Sequence, residues 1–143
     1  LISTNVTTVT TLVDANIRTA LKSAFDNGGI IDLIVCDQLY KQIVDDLNEG
    51  RVRVTNDDGV YRNYVSMYDG TYGTQRVVMS RWMPTASMLL IDTSRVKVIP
   101  LIARSFQLHR KDDASDANKG AVLGEYTVEA RNQTGMAYIY KPQ

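Results

Sequence analysis

The chain has 143 residues, 44% hydrophobic and 22% charged, which suits one domain with a sizeable core and argues against wholesale disorder. Its 16 basic and 16 acidic side chains cancel, removing any bulk electrostatic reason to hold nucleic acid or an anionic membrane. Cys36 is the single cysteine, so no internal disulfide can form, and no apolar stretch approaches the ~20 residues of a membrane span.

The chain opens at Leu1 rather than methionine and soon enters a helix, so it reads as a piece of a longer polypeptide, and no signal peptide is visible within it. The first helix is expected to start at Thr11, with Asp14 completing a capping-box-like pair. Val13, Ile17, Ala20, Leu21 and Ala24 form its apolar stripe, and Asn27-Gly28-Gly29 supplies the stop. Ile30 to Cys36 is a mostly apolar run broken by Asp32, and it reads as a buried strand ending in an inert packed thiol. Asp37 then caps a second helix with the stripe Leu39, Tyr40, Ile43, Val44 and Leu47, ended by Gly50.

From Arg51 the pattern turns to β. Residues Arg51 to Asn63 read as an exposed excursion around the turn Asn56-Asp57-Asp58-Gly59. Strands are expected at Tyr64–Tyr68, Gln75–Ser80, Met88–Ile91, Val96–Ile99, Ala103–Arg110, Val122–Arg131 and Met136–Tyr140. Lys111 to Gly120 is a polar loop and the expected mobile segment. Within the Val122–Arg131 strand, Tyr126, Val128 and Ala130 alternate with Glu125, Thr127, Glu129 and Arg131, which predicts one buried face and one charged face. The class expected is α+β, a mainly antiparallel sheet with two helices.

The residues that could carry chemistry do not converge. His109 is the single histidine; it falls on a strand beside Gln107 and opposite Phe106, where it has no nucleophile to serve. One histidine and one cysteine cannot build a zinc site. The pairs Asp45-Asp46, Asp57-Asp58 and Asp112-Asp113 diverge along a helix or occupy turns. Asp113, Asp116 and Asn118 hint at a cation loop, but Gly120 and Thr127 stand where calcium ligands belong. Asp69-Gly70-Thr71-Tyr72-Gly73 joins strand to strand, so it offers a phosphate no helix N-terminus. Tyr138-Ile139-Tyr140-Lys141 reads as core or interface tyrosines rather than an RNA-stacking strand. The reading is no enzyme, with no catalytic, cofactor-binding or metal residues and no cofactor.

Three strings fall in order along the chain. Tyr68-Asp69-Gly70-Thr71-Tyr72-Gly73-Thr74-Gln75-Arg76-Val77-Val78 leads into Arg81-Trp82-Met83-Pro84, then Leu90-Ile91-Asp92-Thr93-Ser94-Arg95-Val96-Lys97-Val98, then Gly124 to Asn132. This succession resembles the C-terminal half of a family of tailed-phage major capsid proteins, over about Thr11 to Pro142. The resemblance implies the Hong Kong ninety-seven capsid fold, with an axial lobe near the capsomer centre and a peripheral lobe. Residues 1–110 then resemble the axial lobe, and 111–143 a polar loop and β-ribbon returning to the peripheral lobe. The arm, extended loop and long spine helix of that family are not in this chain, so the fragment alone is expected to be monomeric or weakly associating.

The function implied is a structural subunit of an icosahedral phage head that self-assembles into pentamers and hexamers around double-stranded DNA. Partners implied are copies of itself and scaffold or decoration proteins, with only nonspecific DNA contact and no membrane; the location is the virion, after assembly in the host cytoplasm. Arg51, Arg53, Arg62 and Lys111 are candidates for salt bridges between subunits. The competing reading is a non-catalytic small-ligand or partner-binding α+β module, which a deep apolar pocket with converging polar groups would favour.

Overall fold

In the computed structural model, which describes residues 5–47, 66–102, 104–111 and 119–142, the first element is a short strand that the pattern reading does not anticipate. This is β1 (Val6–Thr8), three β-branched residues that pair in parallel with the last strand of the chain. Helix α1 (Asp14–Asp26) begins later than expected. Thr11 does not cap it. Instead Asn16 Oδ1 accepts the Val13 N–H at 3.0 Å while the Asn16 N–H donates to the Val13 carbonyl at 2.9 Å. An amide three residues on thus satisfies the N-terminal groups that a hydroxyl cap would have served. Ile17, Ala20, Leu21 and Ala24 are buried as the stripe predicts, whereas Val13 is exposed. Asn27 ends the helix and Gly28 follows at φ +75, a left-handed conformation that glycine adopts without strain.

Helix α2 (Gln38–Leu47) is capped by Asp37 as expected, since the Tyr40 N–H donates to Asp37 Oδ1 at 2.9 Å. Its inner face differs from the predicted stripe. Tyr40 and Val44 are buried, but Leu39 and Leu47 are exposed and Lys41 is buried in their place. Lys41 is tolerated there because its ammonium pairs with Asp45 one turn along.

The remaining strands are β2 (Leu33–Cys36), β3 (Met67–Gly70), β4 (Gly73–Met79), β5 (Ser87–Ile91), β6 (Val96–Pro100), β7 (Gln107–Lys111), β8 (Lys119–Leu123), β9 (Tyr126–Ala130) and β10 (Ala137–Tyr140). Several expected bounds change: β3 runs on to Gly70 rather than ending at Tyr68, and β7 begins at Gln107 rather than Ala103. The run begun at Ile30 becomes strand only from Leu33, and Ile30 itself is exposed. The single strand expected over Val122–Arg131 is two, because Gly124-Glu125 breaks it into β8 and β9, which pair with different partners. The stop expected at Gly50, the excursion expected over Arg51 to Asn63 and most of the expected polar loop fall in residues 48–65 and 112–118, which lie outside the described residues.

Six strands form one sheet in the order β1-β10-β5-β2-β4-β3, with β1–β10 and β2–β4 parallel and the other neighbours antiparallel. The register lines up Ile139, Met88 and Cys36 in one row and Ala137, Leu90, Ile34 and Val77 in the next. Those residues belong to the same hydrophobic cluster as Ile17, Ala20, Leu21 and Ala24 of α1 and Tyr40 and Val44 of α2. Burying them supplies the main stabilisation, about 25 cal/mol for each Å² of apolar surface removed from water. β6 pairs with β9, and β7 with β8, in separate two-stranded ribbons. The chain is α+β, and it divides into two compact units: a body, Leu1–Thr93 with Asn132–Gln143, and an arm, Ser94–Arg131. Among the described residues no helix is long and apolar enough to cross a membrane.

Candidate functional site

The arm is two antiparallel ribbons. In the first, Val98 stands opposite Val128, flanked by Val96 opposite Ala130 and Pro100 opposite Tyr126. Opposed residues share a face and successive residues alternate. One face is therefore Val96, Val98, Pro100, Tyr126, Val128 and Ala130 with no charge, and the other carries Lys97, Ile99, Thr127 and Glu129. The alternation predicted for β9 is present, but its apolar face is not buried: Val98 is 68% and Val128 65% exposed. A two-stranded ribbon has no second layer to cover a face, and this is the physical reason the expected burial is absent.

The second ribbon is similar. Leu108 stands opposite Val122, and Phe106, Leu108, Val122 and Leu123 are all exposed. The Phe106 and Tyr126 rings meet at 5.0 Å between centroids. Polar links hold the rest. The Glu125 N–H donates to the Arg104 carbonyl at 3.0 Å, the Leu101 N–H donates to the Glu125 carbonyl at 2.9 Å, and the Arg104 guanidinium pairs with the Glu125 carboxylate. Arg131 Nε donates to Glu129 at 2.8 Å, a bond that holds the Glu129 carboxyl below its usual range. Exposed pairs of this kind contribute little stability. An uncharged β-face that nothing in the described chain covers is a contact surface in chemical terms.

His109 lies exposed on β7, and no described residue forms a triad with it. Asp45 is taken up by Lys41. Arg51, Arg53, Arg62, Asp57, Asp58, Asp112, Asp113, Asp116, Asn118 and the Lys111 side chain lie outside what is described. Among the described residues no three histidine, cysteine or acidic side chains gather as a metal site.

On the body, a cleft of about 440 Å³ lies between α1 and the β3–β4 hairpin, lined by Arg18, Leu21, Met67, Tyr68, Asp69 and Tyr72 among others. Tyr68 donates its hydroxyl to Asp14 at 2.7 Å, and burial together with that bond raises the phenol above its usual range. Asp14 also pairs with Arg18. The carboxylate thus holds two groups at the cleft wall, and the cleft offers a ligand a mixed, open wall rather than an apolar interior. Trp82, in the turn after β4, is 88% exposed, a feature that hydropathy alone does not reveal.

Cys36 is fully buried, its thiol directed at the Val78 carbonyl at 3.6 Å, and burial pushes it up to about 11. A buried thiol kept protonated is a packing group rather than a nucleophile. The native chain is therefore expected to resist a disulfide-exchange reagent at pH 8 and to react fully in 6 M urea (about 6 M, a denaturing condition). Rapid native reaction would contradict the burial. The sign of the linkage follows from the raised value: the unfolded thiol ionises from its ordinary 9.0, the folded one only near 11, so stability is intact below pH 9 and declines as pH rises through that window.

A family model described as SU10 major capsid protein matches residues 1–142. Among solved structures, the chain is similar to one described as phage G gp27 major capsid proteins and gp26 decoration proteins. The identity is 16%, the TM-score 0.39, and the match covers 89% of this chain and 45% of that one. No curated protein matches.

Proposed function

Because the chain belongs to the SU10 major capsid protein family, we propose that it acts as a structural subunit of a phage head. In this reading it assembles with copies of itself into pentamers and hexamers that enclose double-stranded DNA, touching the DNA without sequence selectivity. Scaffold or decoration proteins are further partners, the virion is its location, and assembly takes place in the host cytoplasm. The role is structural rather than catalytic.

The observation that supports this reading most is the uncharged face of the β6–β9 ribbon, with Val98 and Val128 both about two-thirds exposed. Apolar surface left open at this density is what a subunit covers on association. The competing reading, a ligand-binding module, is served less well by the cleft at Arg18, Tyr68 and Asp69, whose walls carry charges and open to solvent.

The test is sedimentation of the full-length capsid protein carrying Val128→Lys, beside Thr127→Lys on the opposite face. Val128→Lys is expected to abolish capsomer formation with the circular dichroism unchanged, and Thr127→Lys to leave assembly intact. Normal capsomers from Val128→Lys would sink the assignment of this face.

A further inference from the structure

Two features of the body are complementary, and the fold keeps them apart. The first is a knob. The turn 80–86 that follows β4 is held at both ends, because the Ser80 N–H donates to the Cys36 carbonyl at 2.9 Å and the Ala86 N–H donates to Asp37 Oδ2 at 2.8 Å. Within it the Trp82 N–H donates to Ser80 Oγ at 3.3 Å, while Trp82 itself is almost wholly exposed. Arg81 beside it is exposed and has no ion-pair partner among the described residues. The second feature is a socket, the cleft of about 440 Å³ between α1 and the β3–β4 hairpin, where Met67, Tyr68 and Tyr72 supply apolar and aromatic wall and Asp69 an exposed carboxylate. Asp69 Oδ1 accepts the Thr74 hydroxyl at 3.0 Å, and Oδ2 has no partner among the described residues. The hairpin turn at Gly70 and Gly73 lies at the start of β4, and Trp82 lies beyond its end. A strand of 7 residues spans roughly 20 Å at ~3.3 Å per residue, so the knob does not reach the socket of its own chain.

We propose that Arg81-Trp82 of one copy of this chain seats in the cleft of a second copy, with the indole against Met67 and Tyr72 and the Arg81 guanidinium on Asp69 Oδ2. The proposal rests on the capsid reading and adds a self-contact on residues other than those of the β6–β9 ribbon. Charge complementarity singles out a second copy as the occupant. The knob carries a cation and the socket rim a carboxylate, while the cationic Arg18 on the same wall is already paired with Asp14. Tryptophan and arginine are the residue types that most often anchor interfaces, and a thioether and aromatic rings are favourable neighbours for an indole. A cleft of this size takes a group of that bulk. Holding the turn at both ends lowers the ordering cost of binding. Because knob and socket are different surfaces, the contact is head-to-tail, the arrangement that closes a ring of copies when its rotation allows.

Sedimentation of the full-length capsid protein over a concentration series tests the contact, with Trp82→Ala, Arg81→Asp, Asp69→Arg and the reciprocal pair Arg81→Asp with Asp69→Arg. All three side chains are exposed, so each variant is expected to keep the circular dichroism of the parent. Each single substitution is expected to weaken association about tenfold or more, the loss of one anchoring residue. The reciprocal pair is expected to recover most of that loss, since it restores the ion pair with its signs exchanged. Single variants that associate like the parent would overturn the contact and leave the capsid reading standing. So would a reciprocal pair that associates no better than Asp69→Arg alone. A parent protein that stays monomeric at every concentration would overturn both.

Discussion

Gly29→Ala is expected to destabilise the body by about 3 kcal/mol or more, the larger end of what single substitutions do. A Cβ at Gly29 would lie 2.0 Å from the Gly135 carbonyl oxygen and 2.6 Å from its carbonyl carbon and Cα. The obstacle is backbone, which cannot rotate away as a side-chain tip can. The contact is reciprocal, for a Cβ at Gly135 would meet Gly29 Cα at 2.8 Å. Two chain segments separated by most of the sequence therefore touch main chain to main chain at this point. The neighbouring Gly28→Ala makes the contrast: nothing lies within 4 Å of its added Cβ, but φ +75 strains an alanine by about 1 kcal/mol. Urea denaturation of the two variants beside the parent chain reads both effects. Equal midpoints for Gly28→Ala and Gly29→Ala would refute the close approach.

Asp37→Ala is expected to cost about 2 to 4 kcal/mol. Asp37 is 5% exposed and serves two unrelated donors: Oδ1 takes the Tyr40 N–H at 2.9 Å and Oδ2 takes the Ala86 N–H at 2.8 Å. The first bond is a helix cap, whose loss costs about 1 kcal/mol. The second holds a buried residue at φ 55, and leaving its N–H without an acceptor costs a further 1 to 3 kcal/mol, about what a buried orphan donor loses. Asp37→Asn keeps one acceptor and turns a donor toward the other N–H, so about half the loss is expected. Thermal unfolding followed by circular dichroism measures the series, and an Asp37→Ala midpoint no lower than that of Asp37→Asn would count against the double role. The sequence shows the cap, because Asp precedes an apolar-periodic run; it cannot show Ala86, 49 residues on.

Legibility followed the range of the interaction that decided each feature. The stripe of α1, the cap of α2, the Gly70–Gly73 turn and the burial of Cys36 depend on neighbours within a turn or a strand, and they read correctly from pattern. The start of α1 was displaced because an asparagine at the third helical position did what a threonine hydroxyl was expected to do. Lys41 is buried and Leu39 exposed, the reverse of the expected stripe, because a lysine with an aspartate one turn away can enter a partly closed face. β1 is too short and too polar to announce itself, and it exists because the edge of β10 is available to pair with it. Trp82 was visible as a residue but not as an exposed one.

For the candidate surface the division is similar. Composition, balanced charge and the scattering of His109, Cys36 and the aspartates already directed the reading away from catalysis and toward a structural role, and the order of three strings pointed to a capsid family that the match over residues 1–142 establishes. Alternation in β9 was also plain in the sequence, since the period of two is a property of the strand itself. Whether that apolar face would be covered was not, because burial depends on what lies across from it. Only the tertiary structure decided that Tyr126–Ala130 pairs with Val96–Pro100 in a ribbon outside the six-stranded sheet, while Ala137–Tyr140, a few residues later, enters that sheet beside β5. The strand carries its faces with it, but long-range pairing chooses which of them meets water.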